Sequence, residues 1–199
     1  MHAKKRTFDF ISSLILLVLL SPLLLIIWLI IKATSSGPGF YIQPRVGLKG
    51  RLFDIYKFRS MVQDAENMQP AMENMNETRS PAFKMRQDPR ITPIGRVLRR
   101  YSIDELPQLL NVAKGDMSLV WPRPLPVRDY YNGFRTWQAT RLSIKPGITC
   151  LWQISGRAQL SYEKWKELDL EYIRNPSFSL DLRILARTLP AVLGKEGSY

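Results

Sequence analysis

The sequence predicts an α-rich α/β protein. A small domain with short strands rides on an N-terminal membrane helix that breaks and turns back, and amphipathic helices lie in the membrane interface. Three observations lead there. Residues 10–31 form an apolar run interrupted at Ser21-Pro22 and flanked by basic residues at both ends. Residues 40–43 and 52–58 read as short strands around a glycine-containing connection. Most of the remaining apolar residues recur at helical spacing. The turn Ser36-Gly37-Pro38-Gly39 divides the chain into a membrane unit, 1–36, and a second domain, 37–199.

The membrane unit follows from length and charge. As one straight helix, 10–31 would reach roughly 33 Å, just enough to cross a bilayer. Pro22 sits near its middle, where it deletes a backbone hydrogen bond, and leaves arms of about 15 Å each. Lys4, Lys5 and Arg6 precede the run, and Lys32, Arg45, Lys49 and Arg51 follow it. The positive-inside rule wants both clusters on the cytoplasmic side. A helix-break-helix hairpin satisfies both, with the Ser21 hydroxyl serving the backbone groups freed at the break. A kinked single span is the competing reading. A signal peptide fits poorly, because the run is too long and residues 32–36 make a poor cleavage site.

Composition bounds the partners. The 199 residues carry 29 Lys and Arg against 17 Asp and Glu, a formal charge of +12. Such a balance implies anionic partners: nucleic acid, phosphorylated substrates or an acidic membrane face. The single cysteine, Cys150, excludes an intrachain disulfide. With the single His2 it leaves no His/Cys zinc cluster, whereas an oxygen-ligated Mg²⁺ stays open.

In the second domain the two strands are joined through residues 45–50. The exit Tyr56-Lys57-Phe58-Arg59 alternates aromatic and basic residues, which in a strand sends Lys57 and Arg59 to one face. Residues 62–81, rich in Met, Asn, Gln and Glu, read as a mobile or weakly helical insertion. A turn at 88–93 leads into a basic amphipathic piece, 94–101, carrying Arg96, Arg99 and Arg100.

The next stretch, 99–110, organises the chain. It sets Asp104 and Glu105 just behind Arg99 and Arg100, at the expected start of a helix ending at Lys114-Gly115. Ser102 and Glu105 have the spacing of a capping box. Alternatively Asp104 is the cap, which places Pro107 at the third helical position without loss of a bond. Either way the carboxylates sit at the positive end of the helix dipole. Plain capping is the competing reading of the pair.

Beyond it, residues 116–121 look like a short strand, and Pro122-Arg123-Pro124 is a rigid loop. Two prolines restrict the backbone around Arg123 and reduce the entropy lost when it clamps an anion; a solvated arginine on a structural turn is the alternative. Residues 130–142 mix aromatic and basic side chains and are compatible with a helix, and 145–149 read as a turn or loop. Residues 161–173 form an amphipathic helix with Asp169 near its apolar side. Residues 179–193 suit a helix lying in a membrane interface with Arg183 and Arg187 toward headgroups, or else a core helix.

These parts permit phosphoryl chemistry, which needs positive charge around the transferring group. Lys57, Arg59, Arg99 and Arg123 can supply it. An aspartate can attack phosphorus and split one transfer into two. A neighbouring carboxylate can hold Mg²⁺ or assist proton transfer. A basic membrane-bound nucleic-acid or scaffold protein is the alternative class.

From one end to nearly the other, the chain resembles the bacterial sugar transferase family, the monotopic phosphoglycosyl transferases. The likeness rests on Lys5-Arg6 with Phe8-Asp9, Ser21-Pro22, Gly37-Pro38, Gln43 to Gly47 and Tyr56 to Met61. It continues through Asp88-Pro89-Arg90, Ser102 to Leu109, Lys114 to Ser118, Pro122-Arg123-Pro124 and Lys145 to Thr149. The resemblance implies transfer of a sugar 1-phosphate from a UDP-sugar to undecaprenyl phosphate with release of UMP, starting a surface glycan. It implies that Asp104 becomes covalently loaded, with Glu105 as its partner and Mg²⁺ as cofactor near Asp104, Glu105 and Asp169. Arg123 matches the phosphate-binding arginine, Lys57, Arg59 and Arg99 the surrounding cations, and Arg157 a nucleotide contact. Ser21-Pro22 matches a re-entrant break. That places the protein monotopically among lipids on the cytoplasmic face of a bacterial inner membrane, with no nucleic-acid partner. The carried sugar and the existence of a homodimer stay open.

Two residues depart from the family pattern, which usually has glycine at the positions of Trp121 and Cys150. Trp121 is expected either to crowd the phosphate loop or to seat at the membrane interface. Cys150 is either a tolerated small residue or a reactive one.

Overall fold

The computed structural model describes residues 2–77, 85, 87–133, 136–156 and 160–194. The apolar run lies inside one long helix, α1 (His2–Thr34). It is followed by β1 (Phe40–Val46), β2 (Leu52–Phe58), and the short helix α2 (Ala65–Met68). Next come α3 (Pro93–Arg100), a 3₁₀ segment Ile103–Gln108, α4 (Leu109–Lys114), β3 (Ser118–Val120) and β4 (Leu125–Pro126). The chain ends with α5 (Val127–Gly133), α6 (Thr136–Arg141), β5 (Gly147–Thr149), α7 (Leu151–Ile154), α8 (Tyr162–Arg174) and α9 (Phe178–Leu193). The architecture is the expected helix-rich one with a few short strands.

α1 runs unbroken through Pro22, so the interruption expected there is not a loss of helix. Proline at 22 removes the N–H that would bond the Val18 carbonyl four residues back. The Ser21 hydroxyl donates to that carbonyl at 2.8 Å, and the helix continues because the orphaned acceptor is served locally.

One stripe of α1 faces the rest of the protein along its whole length. Lys5, Asp9, Ser13, Ile27 and Ile31 are buried, and Leu17, Leu20 and Leu24 half-buried, at spacings of three or four. Phe8, Leu17 and Leu20 pack on the main core of Ile55, Leu109, Val112, Met117, Val120 and Tyr172. Leu24, Ile27, Trp28 and Ile31 pack on a second cluster with Phe58 and Leu98. Charge pins the first turns. Lys5 donates to Asp181 of α9 at 2.7 Å, Asp9 accepts from Ser118 at 2.7 Å, and Arg6 donates to the last carbonyls of α4, Val112 and Ala113. The opposite side of α1 exposes twelve large apolar side chains between Phe10 and Ile30. On α9, Phe178, Leu182, Leu189 and Leu193 are likewise exposed, and the two helices meet through Phe8 and Phe178.

The strands read from the sequence form an antiparallel pair with Phe40 opposite Phe58 and Val46 opposite Leu52, and β4 adds to the other side of β1. The connection needs a positive φ at Lys49 and Gly50. The 145–149 segment, expected as a turn or loop, instead ends in β5, which pairs in parallel with β3. Parallel pairing of three-residue strands leaves almost no periodic signal. Gly147 permits it, since a Cβ there would overlap the Trp121 backbone.

α3 is capped by Thr92, whose hydroxyl accepts from Gly95 N at 3.0 Å. Gly95 lies directly on the Ser60 backbone, and a Cβ would overlap the Ser60 carbonyl. Gly95→Ala is therefore expected to destabilise the protein by about 3 kcal/mol, the upper range for overpacking, read as a fall in the thermal unfolding midpoint.

Candidate active site

The two carboxylates sit on the 3₁₀ segment rather than at the start of a regular helix. Ser102 adopts the left-handed conformation, φ 52°, and makes no side-chain cap; only the backbone closes, Glu105 N to Ser102 O at 3.2 Å. The expected capping box is not formed. Stronger partners hold the Glu105 carboxylate. Both terminal nitrogens of Arg123 donate to it as a fork, and Lys57 Nζ donates to Oε1 at 3.2 Å. Charge-assisted bidentate bonds are roughly twice as strong as neutral ones, enough to outcompete a cap. A left-handed non-glycine residue costs on the order of 1 kcal/mol and concentrates at functional sites.

The surroundings push the two carboxylates in opposite directions. Asp104 is 7% exposed. Burial, then the adjacent Glu105 charge, raise its pKa above the ordinary aspartate value, while Lys57, Arg99 and Arg123 oppose the rise. Burial would raise Glu105 too, but Arg123 and Lys57 overcome it and hold that carboxyl well below its usual range. Burial pushes the Lys57 ammonium down, with Glu105 opposing. Among the described residues, none donates a hydrogen bond to the Asp104 carboxylate. Glu105 is thus a committed anion that anchors two cations, and Asp104 a more basic carboxylate left available. Environments that drive two titratable groups apart in this way assign them different roles.

Each cation comes from a different element: Lys57 from β2, Arg99 from α3, and Arg123 from the loop between β3 and β4. Arg99 is steadied by Ser60 Oγ at 2.9 Å. Pairing of Trp121 N with Thr149 O and of Gly147 N with Pro122 O holds the base of the Pro-Arg-Pro loop.

Other sequence-predicted residues lie elsewhere. Arg59 directs its guanidinium to the end of α1, with Nη2 at 2.9 Å from the Ser35 carbonyl and 2.6 Å from its hydroxyl. Asp169 faces Arg141 at 3.2 Å, and burial pushes its pKa up to about 6 against the pull of Arg141. Arg157 lies outside the described residues. Ser21 and Pro22 remain on α1, away from the carboxylates in sequence and on its exposed side.

Sequence reasoning missed Asn111, which is fully buried. Its amide donates to Asp54 O at 2.7 Å and accepts from Tyr56 N at 3.1 Å, tying α4 to the strand that carries Lys57. The signal was its place among apolar neighbours three residues past the 3₁₀ segment.

No group of three His, Cys, Asp or Glu that could hold a metal occurs among the described residues, so Asp169 does not join the other two carboxylates. Mg²⁺ takes one or two protein carboxylates and fills the rest of its shell with substrate phosphates and water. The uncommitted Asp104 carboxylate beside Glu105 fits that smaller requirement.

Both departures from the family pattern are absorbed by the core. Trp121 is 5% exposed and meets Tyr172 edge-on, with Lys5 over its ring; it belongs to the main core rather than to the surface. Cys150 is buried, and burial raises its thiol to about 12, so it is unreactive at neutral pH.

The described geometry coincides with a family match. Residues 1–195 fit the model of the family described as bacterial sugar transferase. The chain is 42% identical over 200 residues to the undecaprenyl-phosphate galactose phosphotransferase of Salmonella typhimurium, covering 98% of this chain and 41% of that protein. It is 40% identical over 199 residues to the exopolysaccharide production protein ExoY of Rhizobium meliloti, covering 98% of this chain and 88% of that protein. It is 41% identical over 204 residues to the UDP-galactose-lipid carrier transferase of Erwinia amylovora, covering 98% of this chain and 41% of that protein. The chain therefore spans less than half the length of the Salmonella and Erwinia relatives and most of ExoY.

Proposed function

Because the chain belongs to the bacterial sugar transferase family, we propose that it moves a sugar 1-phosphate from a UDP-sugar to undecaprenyl phosphate through a covalent adduct on Asp104. The observation that carries this reading is the carboxylate pair of half-buried Glu105, committed to two cations, and buried Asp104, left to react. In the first step an Asp104 oxygen attacks the phosphorus that bears the sugar, the bond from that phosphorus to the UMP oxygen breaks, and UMP departs. In the second, a phosphate oxygen of the lipid acceptor attacks the same phosphorus and the Asp104 carboxylate leaves, giving a lipid diphosphate sugar. Arg123, Lys57 and Arg99 neutralise the charge on the transferring group. Glu105 keeps Arg123 and Lys57 in place and, as an anion beside Asp104, maintains its basicity. Mg²⁺ would be held by the Asp104 carboxylate with Glu105 beside it, and would supply charge neutralisation on the diphosphate. The names of the Salmonella and Erwinia relatives, one a lipid-phosphate sugar transferase and the other a UDP-galactose-lipid carrier transferase, support both substrates.

The direct test is incubation with a panel of UDP-sugars, undecaprenyl phosphate and Mg²⁺. UMP release with one donor is expected; its absence with all of them would leave a scaffold protein of the same fold.

The pH dependence follows from the opposed carboxylates. Asp104 must be ionised to attack, so the acid limb of kcat/KM is expected above the ordinary aspartate value. Glu105→Gln removes the neighbouring anion and frees Lys57 and Arg123 to act on Asp104. The Asp104 pKa then falls, and the acid limb is expected to move to lower pH while the maximum rate drops. A pH profile of UMP formation checks it.

The same proposal places the protein monotopically, on the cytoplasmic face of the inner membrane, with the continuous α1 lying along that face and its exposed apolar side in the lipid. α1 packs on the domain from Lys5 to Ile31, and a helix seated over its length on a charged domain cannot thread the bilayer at right angles to it. Basic residues flank both of its ends. A cysteine engineered near residue 3 is expected to resist an impermeant thiol reagent added outside the cell; labelling there would show a crossing.

A further inference from the structure

The loop that presents Arg123 is held from behind by a second arginine. Arg141, the last residue of α6, donates from Nη2 to the Arg123 carbonyl at 2.7 Å. Its Nε lies 3.2 Å from an Asp169 oxygen, and the two side chains are 4% and 1% exposed. Trp137 and Trp165 pack on the guanidinium at 5.5 and 5.1 Å. The β3–β4 loop, α6 and α8 thus converge on one planar cation.

On the reading that this is a phosphoglycosyl transferase, we propose that Arg141 is a positioning residue for Arg123, itself oriented by Asp169. A guanidinium is a rigid fork. Ion-paired with Asp169 on its Nε side, bonded through Nη2 to a carbonyl and flanked by two indoles, it is restricted in orientation. That fixes the main chain at Arg123, from which the Arg123 side chain reaches forward to Glu105. Pro122 keeps its own tie to Gly147 N at 2.9 Å and the Arg123 guanidinium also reaches the Ile148 carbonyl at 3.4 Å, so the Arg141 bond is the side-chain restraint on the main chain at the arginine. Asp169 then acts two arginines away from the chemistry rather than as a metal ligand.

Arg141→Lys tests this in the full-length, membrane-reconstituted protein. Lysine keeps a cation opposite Asp169 but cannot hold both partners as a planar fork. A displacement of about 1 Å in a phosphate-binding group is enough to lower rate roughly 100-fold. The expected result is a kcat for UMP formation down by about 10- to 100-fold, with the donor KM changed far less. In an Arg123→Ala background the same substitution should add almost nothing, because the group it positions is gone. Asp169→Asn, which leaves Arg141 and its bond to the Arg123 carbonyl, should show the same non-additivity and carries the test if Arg141→Lys does not fold. Wild-type kcat in both variants, or full multiplication of their losses with that of Arg123→Ala, overturns the assignment while UMP release by the wild type upholds the transferase reading. Failure of the wild type to release UMP with any donor would overturn both.

Discussion

Asp104→Asn is expected to abolish UMP release, with the protein folded and its midpoint of thermal unfolding near or above that of the wild type. The amide has the size of the carboxylate but is a poor nucleophile and cannot accept the phosphoryl group as a stable leaving carboxylate. Stability should not suffer, because Asp104 is buried beside Glu105 and its charge is disfavoured there. Linkage gives the sign. A group whose folded pKa lies above its unfolded value opposes folding once pH exceeds the unfolded value, and removing its charge relieves that opposition at neutral pH. Loss of activity with stability retained separates chemistry from folding. A variant that released UMP at the wild-type rate would remove Asp104 from the reaction.

Arg123→Ala is expected to produce the next largest loss, about 100- to 1,000-fold in kcat, the range for deleting one preorganised donor to a developing charge. Two effects add. The transferring phosphoryl group loses a cation, and Glu105 loses its bidentate partner and is left with Lys57. Arg123 also opposes the upward shift of Asp104. Its removal should therefore raise the Asp104 pKa further and move the acid limb of kcat/KM to higher pH, opposite to Glu105→Gln. Arg123→Lys should recover part of the rate, since charge returns without the fork. Opposite pH shifts from neighbouring substitutions are hard to obtain unless both groups act on the same carboxylate.

What the sequence conveyed and what it hid divide along physical lines. The apolar run, both hairpin strands, α8 and α9 were legible because each carries its own periodicity, cap or length. Ser161 and Ser177, for instance, cap α8 and α9 through the amides of Lys164 and Leu180. The carboxylate pair and Arg123 were legible as chemistry, and the fold brings them together from segments 18 residues apart. The capping reading of Ser102 and Glu105 failed because local hydrogen bonding lost to a distant guanidinium, which no local window contains. β5 was hidden because its pairing is decided by β3, nearly thirty residues earlier. Arg59 and Asp169 share a residue type with the site but are held by Ser35 and Arg141, partners set by tertiary packing alone. Pro22 was expected to break the run into a hairpin with the Ser21 hydroxyl serving the freed backbone; the hydroxyl does serve the Val18 carbonyl, and the helix stays continuous.

The most direct measurement is the intact mass of the protein after incubation with a UDP-sugar and Mg²⁺ in the absence of lipid acceptor. A covalent mechanism requires a gain equal to one sugar phosphate, mapping to the peptide that contains Asp104 and discharged on adding undecaprenyl phosphate. UMP formed only when donor and acceptor are present together, with the protein mass never changing, would show a direct transfer between substrates and contradict the central claim.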